Sequence, residues 1–149
     1  MVPKVDHDGR AGFNFFTSVP TRWGDADMLG HINNVIFVRY LESGRLDYLD
    51  RVLGLKFKQP MGQGILVADM QISYLSQVHH PTNLEVSTRI SRIGNTSFDV
   101  SANIYGDHGQ VVVTSKAVCV WFDFALGQKR TVPPAAREAI LNCEVVKPH

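Results

Sequence analysis

Arg22-Trp23-Gly24-Asp25-Ala26-Asp27-Met28-Leu29-Gly30-His31-Ile32-Asn33-Asn34 is the stretch on which the reading of this chain turns. It is a polar, glycine-containing turn. A strand-like run precedes it over 13–19, and a long helical pattern follows over 35–50. From Asp25 to Asn34 it gathers two carboxylates, one imidazole and two carboxamides. Groups of this kind lose hydration beside an apolar helix unless they are satisfied or used.

Outward from the turn, residues 13–23 read as a strand. Phe13, Phe15, Phe16, Thr17, Val19 and Thr21 supply aromatic and β-branched side chains, and Pro20 argues for an edge position or a bulge. Residues 1–12 are polar, with two glycines and a proline, and read as a mobile lead-in. On the other side, Asn33 and Asn34 suit a helix N-cap. Phe37, Val38, Leu41, Leu46, Tyr48 and Leu49 form a broad apolar face, and Arg39, Ser43, Asp47 and Asp50 a narrow polar stripe. Glu42 and Arg45 are spaced to pair. So small a wet side predicts a mostly enclosed helix. Gly44 in its middle sacrifices about 1 kcal/mol of helix propensity relative to alanine, which a close approach to a sheet explains. Gly54 is a C-terminal stop.

Residues 56–64 read as a loop. The period then becomes two: Leu66, Ala68, Met70, Ile72 and Tyr74 alternate with polar residues, so one face of that strand is expected to be buried. Leu84, Val86 and Ile90, and then Phe98, Val100, Ala102 and Ile104, continue the alternation. Gly94-Asn95 between them suggests a hairpin turn with positive φ. Residues 111–124 are apolar on both faces and read as a central strand. Pro133 and Pro134 open a short helix through Leu141. Short turns between successive strands imply antiparallel pairing, so the class is α+β, an antiparallel sheet around one long buried helix. The expected division is a lead-in over 1–12, a domain over 13–126 and a C-terminal extension with a short helix over 127–149.

Composition narrows the functions. The 149 residues are 44% hydrophobic and carry a net charge of +1 from 15 basic and 14 acidic side chains. That suits one domain with a real core and speaks against a nucleic-acid partner. Cys119 and Cys143 are too few for a disulfide framework. No run approaches the roughly 18 apolar residues that span a bilayer, and the first eleven residues lack the apolar core of a signal peptide. The expected setting is the cytoplasm, with no membrane partner.

Among side chains that can do chemistry, Asp27 leads. It lies seven residues before Asn34, near a helix N-terminus whose free N–H groups carry about half a positive charge. Such an end polarises a carbonyl while a nearby carboxylate acts as nucleophile or general base. A turn or capping role for Asp27 is the alternative. Asp25 reads as structural, because two adjacent carboxylates oppose each other's ionisation. His31 can donate to a substrate carbonyl, orient Asp27 or bond to backbone. Asn33 and Asn34 read chiefly as caps, with the backbone N–H of Asn34 free to serve an oxyanion. His79 and His80 would point opposite ways on a strand, and no metal site is expected. Cys119 reads as a core residue.

The turn, followed by Tyr40, Glu42 and Arg45 on the helix, resembles the hot-dog-fold acyl-CoA thioesterases of the 4-hydroxybenzoyl-CoA thioesterase type. The likeness extends over roughly 13–124 in element order. The segment Arg92-Ile93-Gly94-Asn95-Thr96-Ser97-Phe98 resembles the family's hairpin beside the coenzyme A channel. The resemblance implies a hot-dog fold and thioester hydrolysis with Asp27 as the catalytic carboxylate, the backbone near Asn34 as carbonyl polariser and His31 in support. It also implies pantetheine threading between subunits of a dimer or tetramer, with no separate cofactor. Arg92, Asn95, Thr96 and Ser97 would bind substrate with Asn33, while Phe37, Tyr40, Leu66 and Tyr74 line the acyl pocket. The His-x-Asn-Asn run points to the broader acyl-CoA and acyl-carrier-protein branch. A dehydratase or hydratase on the same fold, and a non-catalytic acyl-CoA-binding dimer, are the alternatives.

Overall fold

The computed structural model describes residues 10–55 and 62–149. Most of the expected lead-in and most of the expected 56–64 loop therefore lie outside the described residues. The order is β1 (Phe15–Pro20), a short 3-10 turn (Trp23–Asp25), α1 (Asn34–Leu53), β2 (Gln63–Tyr74), β3 (Asn83–Ile93), β4 (Ser97–Tyr105), β5 (Val111–Asp123), β6 (Gln128–Lys129) and α2 (Pro134–Cys143). The strands form one antiparallel sheet in the order β1-β3-β4-β5-β2, with β6 added to the end of β5. The long helix α1 packs against it, which is the α+β hot-dog arrangement that the sequence implies.

The alternating strands bury their apolar positions against α1. Phe37, Tyr40 and Leu41 meet Val86, Ile104, Val112 and Val113 near the start of the helix. Tyr48 and Leu49 meet Ile90, Phe98, Cys119 and Trp121 near its end, where Val132, Ala136 and Ile140 of the C-terminal segment join the same core. Gly44 sits where helix and sheet come closest. A Cβ there would lie 2.6 Å from Cγ1 of Val86, so the missing side chain sets the spacing of α1 over β3. β1 is an edge strand that ends at Pro20. β5 is interior, paired with β4 on one side and β2 on the other, although β4 holds the middle of the sheet.

Several expectations need correction. The face of α1 is not closed all round: Val35 and Val38 are exposed, while Arg45 is buried with its guanidinium 4.0 Å from Glu42. The strand over 66–74 does not keep one parity. The register with β5 shifts between Val67 and Asp69, so Ala68 is an extra residue. A bulge of this kind transfers the following side chains to the other face. Ile65 opposes Trp121 and Met70 opposes Ala117, both on the core side, while Leu66 opposes Val120 and is 40% exposed. Neither Gly94 nor Asn95 takes positive φ. Gly94 instead sits in a tight spot, where a Cβ would lie 3.2 Å from the Ser97 carbonyl oxygen and 2.7 Å from Nη1 of Arg92, a flexible side-chain end that can move aside. At the described end of the expected lead-in, Arg10 pairs with Glu85 and its guanidinium lies 4.1 Å from the Tyr105 ring centre. Among the described residues no helix is long and apolar enough to cross a membrane.

Candidate active site

The turn folds on itself through its own backbone. Asp27 N–H donates to the His31 carbonyl at 2.8 Å, and Gly30 N–H donates to the Asp27 carbonyl at 3.1 Å. Gly30 has φ of 79°, which glycine adopts without strain. His80 N–H donates to the Gly30 carbonyl at 2.8 Å and Ile32 N–H to the Val78 carbonyl at 2.8 Å, so the turn is pinned to the segment leading into β3.

This geometry separates the two carboxylates. Asp25 is 5% exposed and accepts from the Tyr40 hydroxyl at 2.6 Å and from Arg22 N–H at 3.1 Å. Burial by itself favours the neutral carboxyl. The Tyr40 and Arg22 hydrogen bonds and the charges of Arg22 and Arg39 outweigh that, and the carboxyl is held below its ordinary value. The same contact, added to burial, pushes the Tyr40 phenol up. Asp25 thus ties the 3-10 turn to α1.

Asp27 is exposed and turned the other way. Its Oδ1 accepts from Leu29 N–H at 2.9 Å and from His31 N–H at 3.0 Å. Its Oδ2 has no hydrogen bond among the described residues. Two backbone donors on one oxygen fix the carboxylate's orientation and leave the other oxygen for a reacting group. The first turn of α1 begins directly after Asn33, its N-cap. The Asn33 side chain accepts from Val35 N–H at 3.2 Å, and Ile36 N–H donates to the Asn33 carbonyl at 2.9 Å. The Asn34 N–H has no partner among the described residues. Tyr74, at the end of β2, donates its hydroxyl to the Asn34 carbonyl at 3.0 Å and sets its ring edge against Phe37, centroids 5.8 Å apart.

These groups surround a cleft of about 540 Å³ between the start of α1 and the end of β2. Asp27, His31, Asn33, Asn34, Phe37 and Tyr74 all line it. Leu75, Ser76 and Gln77 form the opposite wall with Ile32. Sequence reasoning missed that wall. Its one signal is position, a polar pair shortly after a strand whose last residue, Tyr74, the sequence does place in the pocket.

Other expected site residues lie elsewhere. Tyr40 is turned from the cleft by its bond to Asp25, and Leu66 sits on the far face of β2 because of the bulge. Arg92, Asn95, Thr96 and Ser97 occupy the β3–β4 hairpin. β3 begins beside the turn and runs 11 residues to that hairpin, roughly 35 Å at the usual strand rise. Within one chain the hairpin cannot reach Asp27. Arg92 there donates to Asp99 at 3.0 Å and to Ser97 at 3.2 Å.

The histidines diverge. His31 and His79 stack edge to face with centroids 4.4 Å apart, and His80 Nδ1 lies 2.8 Å from the Thr21 hydroxyl. Among the described residues no three His, Cys, Asp or Glu side chains are grouped to hold a metal. Cys119 is fully buried in the core, where burial pushes its thiol up to about 11, so it offers no thiolate.

Comparison with known proteins gives one family. The pattern of the thioesterase-like superfamily matches residues 21–140. The uncharacterized protein YsmA of Bacillus subtilis strain 168 is 28% identical over 134 residues, covering 89% of each chain. The chloroplastic acyl-acyl carrier protein thioesterase ATL3 of Arabidopsis thaliana is 26% identical over 129 residues, covering 79% of this chain and 64% of that one. Among solved structures, a thioesterase from Thermus thermophilus complexed with coenzyme A and zinc is 27% identical with a TM-score of 0.77, covering 90% of this chain and 96% of that one.

Proposed function

The chain belongs to the thioesterase-like superfamily, and we propose that it hydrolyses an acyl-CoA or acyl-carrier-protein thioester to free acid and thiol, with Asp27 as nucleophile or general base. The observation that carries this reading is the content of the cleft. One oxygen of Asp27 is fixed by two backbone N–H groups and the other is open, and the Asn34 N–H at the start of a 20-residue helix is unpartnered beside it among the described residues.

In this reading the thioester carbonyl oxygen accepts from the Asn34 N–H, where the helix dipole favours the charge that develops on it. The open Asp27 oxygen then acts by one of two routes. It attacks the carbonyl carbon, expelling thiolate and leaving a mixed anhydride that water cleaves. Otherwise it takes a proton from a water that attacks, and the tetrahedral intermediate collapses to acid and thiol. Neither route calls for a cofactor. His31 supports both through its backbone, which holds Asp27 Oδ1.

A coenzyme A-bound relative and an acyl-carrier-protein thioesterase among the similar proteins support those two carriers as the substrate class. The role assigned to Arg92, Asn95, Thr96 and Ser97 calls for self-association, since the chain's own hairpin does not reach the cleft. Among the described residues β2 is a 12-residue edge strand with an unpaired side, and such edges invite pairing. Val35, Val38 and Leu75 add exposed apolar surface near the cleft. The test is hydrolysis of aliphatic, benzoyl and phenylacetyl thioesters of both carriers by wild type and Asp27→Ala. Wild-type turnover that the substitution removes is expected. Turnover that Asp27→Ala leaves intact overturns the assignment.

A further inference from the structure

On the opposite flank of α1 lies a second hollow, of about 270 Å³, between the helix and edge strand β1. Two arginines line it, Arg22 from the turn and Arg39 from α1, with Ser18, Thr21 and Ser43, and the charges of both act on Asp25 in its wall. Neither Arg22 nor Arg39 forms an ion pair or a side-chain hydrogen bond among the described residues. Other arginines nearby behave differently: Arg10 pairs with Glu85 and Arg51 with Asp47.

The acidic groups of this region do not neutralise the pair. Asp47 is taken by Arg51 at 2.9 Å and by the Thr17 hydroxyl at 2.6 Å. Asp25 is in the wall of the hollow, but it is buried and its Oδ2 is committed to Tyr40 and Arg22 N–H. Two cations against one buried carboxylate leave one positive charge in a concave site lined with hydroxyls. A planar guanidinium fork matches the oxygens of a phosphate, and two forks from different elements can grip one.

The turn itself links this hollow to the cleft. Arg22 and Asp25 line the hollow, whereas Trp23, Gly24, Ala26 and Asp27 line a third one of about 550 Å³, and Asp27 is shared with the cleft. We propose that Arg22 and Arg39 form a phosphate-binding subsite, occupied by the phosphate that the pantetheine arm of the thioester carries. The site rests on the arginine geometry. Only the source of the phosphate rests on the thioester reading above.

The experiment is calorimetric binding, which needs no turnover. Wild type and the Arg22→Gln/Arg39→Gln variant are titrated at low salt with inorganic phosphate, pantetheine, 4′-phosphopantetheine and coenzyme A. Wild type is expected to bind 4′-phosphopantetheine and coenzyme A roughly tenfold or more tighter than pantetheine, and the variant to lose that difference, as suits charge-assisted hydrogen bonds. If inorganic phosphate binds as well as phosphopantetheine and the variant loses both, the subsite stands and the thioester source is wrong. Equal wild-type affinity for pantetheine and its phosphorylated forms, with no phosphate binding, overturns the proposal. So does a variant that keeps the preference. Arg39→Gln alone, which leaves Arg22 beside Asp25, is the control if the double variant melts early. It should lose part of the phosphate preference.

Discussion

Replacing Gly44 with alanine sets two opposed effects against each other at one point of the fold. In a bare helix the substitution stabilises by about 1 kcal/mol. Here the new Cβ would lie 2.6 Å from Val86 Cγ1, 3.1 Å from Val86 Cβ and 3.1 Å from the Thr88 hydroxyl oxygen. Val86 is fully buried and β-branched, so it has little freedom to turn aside. Forcing a methyl into such a contact typically destabilises by about 1–3 kcal/mol. The net expectation is a loss of about 1 kcal/mol, which for a chain of this size lowers the melting temperature by about 2–4 °C. Urea denaturation of wild type and Gly44→Ala measures it directly. Val86→Ala should destabilise less in the Gly44→Ala background than in wild type, with a coupling of about 0.5–3 kcal/mol. A Gly44→Ala protein more stable than wild type would refute the close approach of α1 to β3, and with it the account of how the helix is placed.

The remaining substitutions probe the two sides of the turn. Asn33→Ala should lose about 1 kcal/mol with the N-cap, and Asn33→Ser much less, as read from urea denaturation. Tyr40→Phe removes the hydroxyl that satisfies Asp25 and should destabilise by about 1.5–3 kcal/mol at neutral pH. The folded Asp25 carboxyl lies below its ordinary value, so its stabilising contribution is present above the unfolded value of about 3.9 and is lost as pH falls through the folded one. The unfolded state is common to both proteins, so the gap between Tyr40→Phe and wild type changes only between their two folded Asp25 values; loss of the hydroxyl raises the variant's, and the gap should narrow as pH falls through that raised value toward the lower wild-type one. A gap that does not narrow at all on acidification would show that Asp25 is not the group the hydroxyl stabilises.

What could be read from the sequence follows the reach of each interaction. Alternation of Leu84, Val86 and Ile90 on β3, and of Phe98, Val100, Ala102 and Ile104 on β4, is a local pattern, and those strands form as expected. The cap at Asn33 and the stop at Gly54, with φ of 64°, are equally local. The bulge at Ala68 is not, because it exists only in the register between β2 and β5, and it removes Leu66 from the pocket. The sequence around Gly94 suits a positive-φ turn. The backbone contact there is the close Ser97 carbonyl, supplied by the fold. Tyr40 has a place on the helix that suits the pocket, and the buried Asp25 claims it. The turn is the most legible part: Asp27, His31, Asn33 and Asn34 are close in sequence and end in one cleft. The wall opposite, Leu75 to Gln77, comes from a segment more than 40 positions away and carries no local mark.

Asp27→Asn is the most direct measurement of the central claim. An asparagine carbonyl can still accept from Leu29 and His31 N–H, so the turn is kept while the carboxylate is lost. With wild type and variant matched in melting temperature, the thioester that wild type hydrolyses best is the substrate. The account predicts a fall in kcat of about 10²–10⁴, the usual worth of a positioned acid–base group, or more if Asp27 is the nucleophile. A variant that keeps its kcat within a few-fold of wild type would contradict it.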